Sequence, residues 1–269
     1  MIVGGLFCWM YLAEPEAHIT PDYEQVDLQP ILQKEHFSQE DYQLLWEQTG
    51  LSKTAIDQIL DTRFHPSKTI LDYQQKFFDT PIYQCYSNTV ISHEEIIVNQ
   101  DGKYTIGTSI ANVQEGDVFI TKSSHTFGWR NGHAAIVVDE ENKNTLESIT
   151  LGTNSRLSTV SRWESYPNFI QLRLKDTDKE TRAMIAQNAL VYLNDLPYSL
   201  GMGLWHWKNQ PQDSISCTNC SHLVWQAYQW YGYDLDSDGG FLVTPKDLAN
   251  SDLFEVIQVY GVDPNNIWP

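Results

Sequence analysis

Apolar positions along the chain change their period twice, and the changes divide it. From Ser38 to about Phe78 they recur at helical spacing, with boundaries written in capping residues. Ser38 with Asp41 three residues on predicts an N-cap and capping box, Gly50 closes that helix, and Ser52 caps the next run, KTAIDQILD. A third run, KTILDYQQKFF, follows Pro66. After Thr80-Pro81 the pattern turns to alternating, β-branched segments: Ile82 to Val90, then Glu94 to Ile110 broken by an Asp101-Gly102 turn, then VFITK. AAIVVDE, NTLESITLG and FIQLRLK continue the series, and together these segments predict a meandering antiparallel sheet or small barrel. Thr177 to Asn194 returns to a 3.6-residue period through Met184, Ala186, Leu190 and Leu193. A loop of about two dozen residues rich in Pro, Gly and Trp then leads into a last helix, CSHLVWQAYQWYG. The pattern predicts an α+β protein with a helical prefix over residues 1–80 and a second unit over residues 81–269, where any chemistry should lie.

Composition narrows the function classes. Of 269 residues, 41% are hydrophobic and 12% aromatic, which suits a globular chain with a sizeable core. Against 35 acidic side chains stand 17 basic ones, a net charge of −18 that repels phosphate backbones and anionic lipid. Nucleic acid is therefore not an expected partner. The densest basic stretch, Arg173 to Arg182, interleaves with Asp and Glu as a solvated helix face would. Residues Met1 to Ala13 are almost wholly apolar, too short to span a bilayer, and close to an export signal's hydrophobic region without its basic flank. They predict an exported or membrane-anchored extracytoplasmic protein, with an apolar segment packed on the domain as the alternative. Four cysteines are too few for a disulfide scaffold.

One cysteine stands where a nucleophile belongs. Cys220 opens the last helix, so its thiol meets the positive end of the helix dipole and unpaired N–H groups that lower a thiol pKa and can cradle an oxyanion. A base must lie within reach, and His133, which begins the strand HAAIVV after Asn131-Gly132, is the best candidate. A third group should orient the imidazole. Glu147 can do so across an antiparallel hairpin, although Ser148 and Thr150 are near and strand register decides which faces His133.

The segments GDVFI, GHAAIVV, LESITLG and CSHLVWQAY, with Thr244-Pro245-Lys246-Asp247-Leu248 after them, resemble the NlpC-type papain-like cysteine hydrolases. The His strand preceding the Cys helix resembles their circularly permuted YiiX/YebB/YycO-like branch. The resemblance, over roughly residues 116–261, implies a permuted papain-like domain, with Cys220 as nucleophile, His133 as general base and Glu147 as orienting residue. It further implies that Pro197-Tyr198-Ser199-Leu200-Gly201 borders the cleft, with Tyr198 and Gly201 contacting substrate. The implied activity is hydrolysis of amide or peptide bonds, in bacterial cell-wall peptide, with neither metal nor organic cofactor. Relatives resembling lecithin:retinol acyltransferase share the arrangement, so lipid deacylation or acyl transfer is an alternative. A silent cell-wall-binding module using the aromatic loop from Tyr198 to Trp207 is another.

Other readings of the same residues are weaker. Cys217-Thr-Asn-Cys220 is a Cys-x-x-Cys, but the flanking pattern is not the β-α-β of a dithiol redox protein, and His206 and His222 do not complete metal-ligand spacing. Zinc deaminases need Glu two residues after the histidine, where Ala135 stands. Cys217 is expected to pack near the nucleophile. Asp234-x-Asp236-x-Asp238-Gly239 imitates half a calcium loop, but Pro245 occupies the position of the bidentate Glu, so an acidic turn is expected. His125 is expected to be an ordinary polar loop residue.

Overall fold

The computed structural model describes residues 17–268. The apolar amino-terminal segment with Cys8 lies outside the described residues.

After a single turn, α1 (Gln29–Leu32), the prefix forms α2 (Gln39–Thr49), α3 (Lys53–Thr62) and α4 (Pro66–Phe78). Both halves of the capping box form: Ser38 Oγ accepts from the Asp41 N–H and the Asp41 carboxylate accepts from the Ser38 N–H. Gly50 ends α2 at φ 67°, a conformation that costs glycine little, and a Cβ there would meet the Val259 carbonyl at 2.2 Å.

The second unit holds two antiparallel sheets. Six strands, β3 (Val118–Thr121), β5 (His133–Asp139), β6 (Asn144–Glu147), β7 (Arg156–Thr159), β8 (Phe169–Leu174) and β9 (Phe254–Tyr260), run in the order β7-β6-β5-β3-β8-β9. Three more, β1 (Tyr83–Ser87), β2 (Ser92–Ile97) and β4 (Ser124–Thr126), form a small sheet in the order β1-β2-β4. Both sheets are open. The expected single meander or barrel is thus replaced by two sheets, because β3 pairs with β5 and β8 while the segment before it joins β4 instead.

Alternation along β5 sets the layers. Ala134, Ile136 and Val138 face α6 (Lys179–Leu193) and α7 (Cys220–Gln229), in a core with Ala186, Leu223 and Ala227. Ala135 and Val137 face the other way, into a cluster with Phe119, Ile96 and Ile97 that also takes in Trp163 and Tyr166, which seats the small sheet on that face. Trp163 ends the short helix α5 (Val160–Trp163).

The basic stretch departs from expectation. Arg173 lies on β8, buried, with its guanidinium on Asp117 at 2.7 Å, and Arg182 is buried with Nη2 donating to Gln114 Oε1 at 2.7 Å. Each has a polar partner that sequence spacing does not reveal, so neither sits on a solvated face. The prefix covers the sheet edge at β9: Ser52 N–H donates to Ile257 O at 2.9 Å and Gly50 O accepts from Val259 N–H at 2.8 Å. Ile257 is buried among Leu51, Ile56 and Ile70.

Candidate active site

The helix that carries Cys220 starts because Asn219 caps it: Asn219 Oδ1 accepts from the His222 N–H at 2.9 Å, in extended backbone. Cys220 is the first helical residue, and no carbonyl within the helix can reach first-turn N–H groups. The helix packs on the Ala134, Ile136 and Val138 face of the sheet, so its first residue arrives where β5 begins.

There Cys220 is hydrogen-bonded to His133 and to the N–H groups of Ala134 and Ser221. His133 Nε2 contacts Glu147 Oε2 at 2.9 Å. The carboxylate accepts there, so Nε2 carries a proton and Nδ1 is left for the thiol. Register explains the choice of Glu147 over its neighbours. β5 pairs with β6 through Ile136↔Leu146, so Glu147 and Thr145 share the face of His133 while Ser148 points elsewhere. The structure thus brings Cys220, His133 and Glu147 together, all buried.

Two residues not singled out in the sequence hold this arrangement. Trp163 Nε1–H donates to Glu147 Oε1 at 2.8 Å, and its indole lies parallel to the His133 imidazole, centroids 5.5 Å apart at 11°. Thr145 Oγ1–H donates to the same oxygen at 2.6 Å. Only the two-residue spacing of Thr145 from Glu147 on one strand was available as a signal; Trp163 is brought in by tertiary packing.

Electrostatics follow from these contacts. Burial alone would depress the His133 pKa, but the hydrogen bonds and negative charge of Cys220 and Glu147 outweigh it and raise it to about 9. Burial would raise Cys220; the His133 hydrogen bond and charge, helped by the two backbone N–H groups, bring it below the ordinary thiol value. Against its own desolvation, Glu147 is lowered to about 2 by His133 and Thr145. The three shifts all favour the charged forms: the thiol is pulled toward thiolate, the imidazole toward imidazolium, and the carboxyl toward carboxylate.

A cleft with a free volume of about 20 Å³, room for one water, lies above the sulfur. Its walls include Ile91, Thr126, Asn131, Leu151, Tyr198 and Leu200. Burial, then the negative charge of Cys220, raises the Tyr198 pKa, so its hydroxyl stays protonated as a donor. Gly201, expected to touch substrate, does not line the cleft. Its carbonyl instead accepts from the N–H groups of Leu204 and Trp205, and a Cβ would meet the Trp205 indole at 2.2 Å. It shapes the loop instead. The small sheet's share of the wall, through Ile91 and Thr126, was not foreseen.

The remaining candidates have structural partners. Cys217 is buried with its sulfur 3.5 Å from Met202 Sδ. His222 is buried, its Nε2–H donating to Lys208 O at 2.8 Å and its Nδ1 accepting from Thr218 at 2.9 Å, and desolvation lowers its pKa to about 4. His125 is on β4, 3.5 Å from Glu95, beside the cleft wall but not in it. Carboxylates of Asp236, Asp238 and Asp247 lie within 4.8 Å of one another and could hold a cation. Asp236 is already paired with Lys208, and Asp247 caps α8 (Pro245–Ala249).

No protein-family model matches the chain, and no curated protein matches it in sequence. Among solved structures it is similar to the metalloprotein yiiX from Escherichia coli O157:H7, with 13% identity and a TM-score of 0.42 over 54% of this chain and 96% of that one.

Proposed function

We propose that the protein is a cysteine hydrolase that cleaves amide or peptide bonds through an acyl-thioester, on a circularly permuted papain-like domain of NlpC type. The observation that carries this reading is the buried relay from Cys220 through His133 to Glu147, with the thiol depressed and the imidazole raised in pKa. A lone structural cysteine or histidine has no use for that coupling.

The Cys220 thiolate attacks the substrate carbonyl, and first-turn N–H groups of α7 stabilise the oxyanion. The tetrahedral adduct collapses as the His133 imidazolium protonates the leaving amine, which departs and leaves a thioester on Cys220. Water then attacks, giving its proton to His133 Nδ1. Collapse releases the carboxylic product and restores the ion pair. Glu147 keeps Nε2 protonated and the ring aligned throughout.

The substrate suggested by the sequence resemblance is bacterial cell-wall peptide, met outside the cytoplasm. Lipid deacylation would use the same thioester, but Asn88, Ser92, Ser124, Thr126, Asn131 and Thr150 in the cleft lining offer hydrogen-bonding partners that suit a peptide.

The test is alkylation by iodoacetamide across pH, with Cys85, Cys217 and Cys220 read separately by mass. Cys220 is expected to react at lower pH than Cys85, whose thiol burial pushes up, and His133→Ala should abolish that advantage. An ordinary thiol titration at Cys220, unmoved by His133→Ala, would sink the mechanism.

A further inference from the structure

The loops that build the cleft wall end in exposed apolar side chains. Val90, 95% exposed, neighbours Ile91 at the tip of the β1–β2 hairpin. Phe127 and Trp129 extend from β4, tied to the hairpin by the bond from Phe127 N–H to Ile91 O at 2.8 Å. Trp205 and Trp207, 82% and 86% exposed, follow Leu200 on the loop that Gly201 shapes. Phe241, 78% exposed, joins them where its carbonyl abuts Gly203.

Charge separates this rim from the rest of the molecule. Residues 88–91, 124–132, 149–153, 198–207 and 239–242 contain no Asp or Glu, in a chain with 35 of them. Their basic residue, Arg130, is bound through both guanidinium nitrogens to Glu95. Exposed Asp234 and Asp238 lie just outside this rim, before Phe241, and with the net charge of −18 they disfavour an anionic surface. The apolar tips stand on separate loops, and three of those loops line the cleft through Ile91, Thr126 and Leu200. Indole, apolar with one N–H, is favoured at the boundary between lipid headgroups and acyl chains.

We infer that the cleft face docks on an uncharged, zwitterionic lipid surface through Trp205, Trp207, Phe241 and the neighbouring loop tips, so that Cys220 meets its substrate at that interface. The inference rests on the proposed hydrolase only for the use made of docking. Lipid binding itself needs no catalysis.

The experiment is co-sedimentation of the full chain with phosphatidylcholine vesicles, with and without phosphatidylglycerol, at low and high salt. Wild type should partition onto pure phosphatidylcholine with little salt dependence, and W205S/W207S should bind at least about tenfold more weakly. Cys220→Ala and Phe64→Ser, the latter on the turn after α3, should bind like wild type. Because Cys220→Ala binds without a thiol, loss of the catalytic reading and loss of docking give different results. No partition by wild type overturns the inference, as does binding that needs phosphatidylglycerol. Binding that survives W205S/W207S and Phe241→Ser would place adhesion elsewhere, the apolar first thirteen residues included, and also overturns it.

Discussion

Glu147 uses both oxygens, one for His133 and one for Trp163 and Thr145, so its charge is spread over three donors. Trp163→Phe preserves the ring over His133 and removes one donor. It should lower kcat/KM by about tenfold to a hundredfold, the range of one hydrogen bond to a charged group, and, because Trp163 is fully buried, also cost about 1–3 kcal/mol of stability. The pH profile follows from the imidazole of His133 and the carboxylate of Glu147. His133, raised from 6.5 to about 9, contributes stability that is fully present below 6.5 and lost as pH rises through 9. Glu147, lowered from 4.5 to about 2, contributes above 4.5 and loses its contribution as pH falls through 2. Activity should therefore fall on the alkaline side with a midpoint near 9, and His133→Ala should flatten the alkaline loss of thermal stability between about 6.5 and 9. At this scale Cys220 was legible from helix phase and His133 from the Asn-Gly turn before its strand. Glu147 was legible only to within its neighbours, since a hairpin register is a long-range fact. Trp163 left no local trace, because its role exists only once α5 packs across β5.

Among the elements, those with local signatures appeared in the chain itself: the capped helices and the hairpin of β5 and β6. α6 was legible as a helix but not by its face, since Met184 of the expected apolar row is exposed while Ile185 and Ala189 are buried. β9 was not legible, since FEVIQVY carries two polar residues and its burial depends on β8 and the prefix. The small sheet was misjudged because β4 is three residues long and pairs with a strand well before it. The turn before β5 controls the imidazole. Gly132 adopts φ 74°, and a Cβ there would lie 2.5 Å from Trp268 and 2.7 Å from the Thr121 carbonyl. Gly132→Ala should cost about 1–3 kcal/mol in chemical denaturation and displace His133 enough to reduce the Cys220 alkylation advantage.

For the whole molecule, the first 80 residues were the part of the chain without an evident purpose, and packing supplies one. Gly50 and Ser52 cover the outer strand of the large sheet, and Leu51, Ile56 and Ile70 bury Ile257. A chain starting at residue 81 would expose that strand edge and its apolar contacts, an invitation to aggregate. Such a fragment should lose cooperative unfolding, and Ile257→Ala in the full chain should destabilise by about 2–5 kcal/mol in denaturant titration. A separable prefix would leave the unfolding transition of residues 81–269 intact.

The nucleophile and its base come from strand and helix far apart in the sequence, and each is silent without the other. A nascent chain that has exposed His133 but not yet α7 holds no reactive thiol. One that has just made α7 has only the helix start to lower the thiol pKa, and lacks the larger share from His133 until the sheet closes beneath it. Reactivity is thus acquired at the end of folding, and a partly unfolded copy is chemically disarmed.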